Sequence, residues 1–263
     1  MFKTRLFSFA LAAGLFVPTL SHAQYASSVV AYNQGTGTNP SYNDPNAALG
    51  APSQVTPGIF GGPVDPFDPP FLPSQIVQIG TNGSLTLQFN TPIQNSGANP
   101  LGLDFNIFGA AGFTITNHDF SGGGITDGTL FRGGDSDVRV SVSADGTTFY
   151  PLNPALTPVV DGLFPTDGIG NPLLPVNPSL TGTDFAGKDM AGIRALYGGS
   201  AGGASFDLAW AGGAPSSVSF VRLEVLSGVV SIDAISVLPE PASGTFAVVG
   251  AAALLWSRRR RKV

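Results

Sequence analysis

The chain has 263 residues, of which 11% are charged, with 35 glycines, 22 prolines and no cysteine. Its net charge of −5 conceals an asymmetry: residues 25–237 hold 5 lysines and arginines against 15 aspartates and one glutamate, a net −11, which repels phosphate backbones and excludes nucleic acid as a partner. Without cysteine there is no disulfide framework, so about 210 residues must be held by an apolar core, which a chain of this length can build.

Lys3 and Arg5 precede an apolar stretch from Leu6 to Val17, and Ser21-His22-Ala23 stands ahead of Gln24. A charged start, a short apolar run and a small-x-small site in that order predict a signal peptide over 1–23, removed by a signal peptidase near Ala23. The domain proper is predicted over 24–237. Early in it, Asp44-Pro45-Asn46-Ala47-Ala48-Leu49-Gly50 predicts one helical turn, with Asp44 as N-cap and Gly50 as its stop. The Pro- and Gly-rich stretches 56–74 and 151–178 carry Phe60, Phe67, Phe71, Leu163 and Phe164, side chains for which a flexible linker has little use. They are read as ordered loops within one domain.

Between these loops, period-two alternation dominates. Leu85, Leu87 and Phe89, then Leu103, Phe105 and Ile107, then Val138, Val140 and Val142 each alternate with polar residues, the pattern of half-buried strands. Ala144-Asp145-Gly146 supplies a turn after the third, with Phe149 and Leu152 on a returning strand. Residues 186–196 predict a short helix, with Met190, Ile193 and Tyr197 at spacings of three and four. Phe206, Leu208 and Trp210 predict a further strand, Val218–Val225 another with a bulge at Phe220-Val221, and Val229–Val237 a closing strand buried on both faces. Many short strands, little helix and no cysteine predict an all-β fold, an antiparallel two-sheet jelly-roll sandwich with long Pro/Gly-rich loops.

After the domain, Pro239-Glu240-Pro241 is followed by an apolar run from Phe246 to Trp256 and then by Arg258, Arg259, Arg260, Arg261 and Lys262. This predicts a short transmembrane helix at about 242–257 with its basic tail, 258–262, on the cytoplasmic side. The three parts, over 238–263, resemble the PEP-CTERM sorting signal of Gram-negative bacteria, with Pro239, Glu240 and Pro241 at the motif positions. The resemblance implies an exosortase-type sorting enzyme as partner, an intermediate anchored in the inner membrane, and delivery to the cell surface or an exopolysaccharide matrix. The segments Ser28–Tyr32, Asp44-Pro45, Ala48–Gly50, Gly83–Leu87, Asp104-Phe105, Val140–Gly146 and Ser231–Ala234 resemble galactose-binding-domain-like jelly rolls. That second resemblance implies carbohydrate or matrix attachment with a polysaccharide partner. It also implies a structural calcium on Asp233, with Asn43 and Asp44 as the N-terminal contributors. The alternative is that Asp233 is a plain strand residue and Asp44 only a helix cap.

Catalytic chemistry finds little material. Past the signal peptide His118 stands alone, which excludes multi-histidine zinc sites, and no Gly-x-Ser-x-Gly elbow accompanies it. Glu224 is the one glutamate before the sorting motif, flanked by core-directed Leu223 and Val225. Asp135 and Asp137 flank Ser136 in a glycine-rich turn, where two carboxylates face either a cation or only their own backbone. The glycine clusters at 122–124 and 198–203 lack a Walker lysine pattern. The reading is a non-enzymatic surface or matrix protein. Its alternatives are a purely structural matrix component without a discrete ligand and an aspartate-dependent hydrolase.

Overall fold

The structure, a computed structural model, describes residues 24–59 and 61–239. The first part of the chain forms β1 (Gln24–Tyr25), β2 (Ser28–Asn33), β3 (Val55–Thr56), β4 (Gly62–Pro63), β5 (Val77–Gly80) and β6 (Ser84–Gln94). The middle forms β7 (Phe105–Gly109), β8 (Gly112–Ile115), β9 (Thr126–Arg132), β10 (Asp137–Ser143) and β11 (Tyr150–Pro151). Two short helices follow, α1 (Gly182–Phe185) and α2 (Met190–Tyr197), and then β12 (Ala204–Phe206), β13 (Ser217–Ser227) and β14 (Val229–Val237).

These strands make four separate antiparallel sheets. One has the order β1-β14-β7-β12 with β5 also on β14; another runs β11-β10-β13-β6-β2; β3-β4 and β8-β9 are two-stranded ribbons. The two larger sheets turn their apolar residues to one shared core, Leu85, Leu87, Val140, Val142 and Leu223 from one and Ile79, Phe105, Ile107, Ile232 and Ile235 from the other. Period-two alternation in β6, β10 and β13 exists because only one side of each strand meets that core. β14 is buried along seven of its nine residues, since its outer side is roofed by the Pro-rich loop, whose Pro172 carbonyl accepts hydrogen bonds from Ser236 Oγ (2.6 Å) and Asn106 Nδ2 (3.3 Å).

The topology corrects the expected jelly roll. A two-sheet jelly roll would absorb its strands into two sheets, whereas β8 and β9 leave the main core to form a ribbon with a core of their own. Phe113, Phe185, Ile193 and Tyr197 are buried there with Val176. The Phe113 and Phe185 rings lie 4.9 Å apart, and burying such side chains is worth about 1.5–3 kcal/mol each. Phe67, Leu163 and Phe164 of the long Pro- and Gly-rich loops thus serve a second cluster, and the fold class is all-β with four antiparallel sheets.

Several local expectations meet their geometry directly. Asp44 caps a 3-10 turn over Pro45–Ala48, accepting from the Asn46 N–H at 3.0 Å. The register of β13 on β6 shifts between Val218 and Phe220, a bulge close to the expected place. The expected helix near 186–196 is α2, capped by Asp189 and ended by Gly198 in the left-handed region. The strand expected through Trp210 is corrected: β12 ends at Phe206, and Asp207 accepts from the Ala209 N–H at 2.7 Å to start a 3-10 turn over Leu208–Trp210. No helix among the described residues is long and apolar enough to cross a membrane. The signal peptide at 1–23 and the membrane helix expected at about 242–257 lie outside the described residues.

Candidate functional site

The chemically unusual feature of the molecule is a set of buried aspartates, Asp104, Asp161, Asp167 and Asp233, each at most 5% exposed. An ionised carboxylate in such a place is tolerable only if hydrogen bonds or a counter-charge replace its water. Each of the four meets that requirement differently. Asp167 accepts two hydrogen bonds from Arg194 of α2, from Nε at 2.7 Å and from Nη2 at 3.0 Å. The carboxylate in turn raises the Arg194 pKa further, chiefly through that hydrogen bond.

Asp104 stands just before β7 and gathers three segments. Its carboxylate accepts from the Ser96 N–H (3.1 Å), Asn99 Nδ2 (2.8 Å) and the Leu208 N–H (2.8 Å). Its carbonyl accepts from the Leu238 N–H at 2.9 Å. Burial pushes its carboxyl up to about 6, against the pull of the N–H donors of Leu208 and Ser96.

Asp161 and Asp233 meet at the central strand β14. Strand β7 ends at Gly109, opposite Ile232, and the register then slips between Ile232 and Ala234, so Asp233 sits in a bulge. Just beyond the end of β7, Asp161 takes over as acceptor: its carboxylate receives the Ala111 N–H at 2.6 Å and the Ser231 N–H at 3.2 Å. Asp161 is held at φ 53°, a left-handed conformation that costs energy for a residue with a Cβ. Gly109 must lack a side chain, because a Cβ there would run into the Asp161 carboxylate. Asp233 accepts from Ser53 twice, from N–H at 2.7 Å and from Oγ at 2.8 Å, which ties the loop before β3 to the closing strand. Burial pushes both carboxyls up to about 7; their N–H donors oppose the rise, and the Asp161 charge adds to it at Asp233.

Two small cavities adjoin these groups. One, of about 10 Å³, is bounded by Ile107, Ala111, Asp161, Phe164 and Thr166. Another, of about 20 Å³, lies among Tyr25, Pro52, Gln54, Asp167 and Pro172. Each has room for about one water molecule.

The residues singled out in the sequence lie elsewhere, Asp233 excepted. Asn43 and Asp44 are exposed, and the Asp44 carboxylate is used on Asn46, at its N–H (3.0 Å) and at Nδ2 (2.9 Å). Both Asp233 oxygens are used on Ser53, and among the described residues no group of three or more His, Cys, Asp or Glu is placed to hold a metal ion. Asp135 and Asp137 are exposed around the turn into β10, and His118 is an exposed loop residue at φ 58°. Glu224 faces solvent beside Arg139, at 3.8 Å. Pro239 ends the described chain, and Glu240, Pro241, Arg258, Arg259, Arg260, Arg261 and Lys262 lie outside it. Ser53, Asp104, Asp161 and Asp167 are site residues that only the structure brings out. The available signal was a lone acid inside an apolar run, as in Val159-Val160-Asp161-Gly162-Leu163-Phe164.

No family model matches the chain, and no curated protein matches it. The expectations of PEP-CTERM sorting, of exosortase, signal peptidase and membrane partners, and of surface or matrix delivery with carbohydrate attachment are corrected accordingly. The comparisons give them no relative to rest on, and no described helix is of a length and apolarity to hold a membrane-anchored intermediate.

Proposed function

We propose that the domain is a non-catalytic structural module that works through its outer surface and not through a cleft. The observation that carries this reading is the commitment of its three most strongly perturbed carboxylates. The acids with raised pKa at Asp104, Asp161 and Asp233 are buried and spend their oxygens on backbone N–H groups, on Asn99 or on Ser53. A general acid or base must reach a substrate proton within hydrogen-bonding distance, and a cavity the size of one water admits no substrate. Asp135 and Asp137 are exposed, but no enclosing wall desolvates them, and a carboxylate pair without such a wall is a poor acid catalyst. A panel of chromogenic glycosides and esters, assayed with the full chain, tests the reading. The expected result is no turnover above that of an Asp135→Asn, Asp137→Asn double variant. Turnover that those two substitutions remove would contradict it.

A further inference from the structure

We propose that Arg222, on the outer face of the sheet β11-β10-β13-β6-β2, anchors a binding site for the carboxylate of a small monocarboxylic acid. Such a site rests on the reading of a module that works through its outer surface, and it names the class of ligand that surface takes. Along β13 the side chains alternate: Val221 and Leu223 enter the core, so Arg222 between them points the other way. Its cross-strand neighbours share that face. Thr86 lies opposite it on β6 and Ser141 on β10, each between core residues of its own strand.

Two contacts fix the guanidinium. Nε donates to Thr86 Oγ1 at 3.2 Å, and the guanidinium carbon stands 3.5 Å from the centroid of the Phe149 ring, a stacking distance. With one nitrogen bonded and one face covered, the side chain has given up much of its rotamer freedom before a ligand arrives, so less is lost on binding. The N–H groups of both Nη nitrogens make no hydrogen bond to protein among the described residues. Beyond Thr86 in the same row, β2 presents the exposed Ala31, whose methyl group raises no wall on that side of the arginine.

Charge decides what this fork takes. Residues 25–237 hold 5 lysines and arginines against 15 aspartates and one glutamate, yet Arg222 forms no ion pair among the described residues. Arg194, by contrast, is paired with Asp167, and Glu224, two residues along β13 on the same face as Arg222, lies 3.8 Å from Arg139. A lone guanidinium on so acidic a domain balances one negative charge and no more. A phosphate or a polyanion brings surplus charge that the net −11 repels. A carboxylate is singly charged and planar, and its two oxygens match two parallel N–H groups of the guanidinium.

NMR of the arginine Nε–H groups of the full chain at pH 6, with sodium acetate replacing sodium chloride at constant ionic strength, tests the site. The Arg222 signal, identified by its nuclear Overhauser contacts with the Phe149 ring, is expected to shift along a saturating curve with half-saturation below about 10 mM, while those of Arg132 and Arg139 move less. Phe149→Leu removes the stack and keeps the charge, and should raise the half-saturation concentration about fivefold. An Arg222 signal that moves no more than those of Arg132 and Arg139 overturns the proposal. So does a Phe149→Leu chain that binds acetate as well as the wild type, and so does sulfate acting at lower concentration than acetate. If Phe149→Leu does not fold, the wild-type comparison of the three arginines decides alone. Failure at Arg222 leaves the non-catalytic reading standing, because turnover of the glycosides and esters decides that separately.

Discussion

Arg194 reaches from α2 to Asp167 with two nitrogens, and its own side chain is 36% exposed while that of Asp167 is 3% exposed. The asymmetry decides what the pair is worth. Bringing it together yields little net stability, because Asp167 had to leave water first, but removing the arginine strands a buried charge. Arg194→Met is therefore expected to lower the unfolding free energy by about 2 kcal/mol, less than the 3–5 kcal/mol of a wholly buried pair because water reaches the vacated side. Urea unfolding measures it. Adding Asp167→Asn to the same chain should recover part of the loss, since the stranded group is then neutral; a cost under about 0.5 kcal/mol would mean that water already serves Asp167.

Among the elements, the β8-β9 ribbon with α1 and α2 is the part whose stability is separable from the main core. Phe185 of α1 contacts Phe113, Phe164 and Tyr197, with ring centroids at 4.9, 6.1 and 6.0 Å, and is fully buried. Phe185→Ala should cost about 3–5 kcal/mol within this cluster. Hydrogen exchange should show protection lost over β8 and β9 while β10 and β13 keep theirs; equal loss in all four would show one undivided core. This ribbon was also the element least legible in the sequence. Leu85, Leu87 and Phe89 or Val138, Val140 and Val142 announce strands because one face of each carries apolar side chains into a core and the other carries polar ones. β8 has 4 residues, β9 opens on Thr126-Asp127-Gly128-Thr129 with no apolar alternation, and their partners, such as Val176 and Ile193, lie far along the chain in segments that read as loop or helix. Phe206, Leu208 and Trp210 alternate like a strand, yet Asp207 between them has a side chain that competes for backbone N–H groups and starts a 3-10 turn. The same reasoning explains why Asp233 stands out in the sequence and Ser53 does not. A lone acid in Val229–Val237 is visible locally, whereas Ser53 lies 180 residues away and Asp161 reaches Ser231 across 70.

At the scale of the molecule, buried aspartates act as ties, each fastening loops to the sheet built around β14 or to its neighbours, in a chain that has no cysteine to do so. This construction sets the pH dependence of stability. Asp104, Asp161 and Asp233 are held at about 6, 7 and 7, above the ordinary 3.8, so the folded chain binds more protons than the unfolded chain between those limits. Their contribution is present below pH 4 and is lost as pH rises through 6 to 7. The exposed acids act in the opposite sense. Asp145 is held at about 2 by the N–H groups of Thr148 and Thr147, and Asp119, Asp127 and Asp184 are lowered by hydrogen bonds from Ser121, Thr129 and Thr181, so what they contribute disappears only as pH falls below the usual carboxylate range. Urea unfolding of the full chain at pH 5 and pH 8, in enough salt to screen the surface charge, tests the account most directly. The unfolding free energy is expected to be greater at pH 5 by several kcal/mol; equal stability at the two values, or greater stability at pH 8, would contradict it.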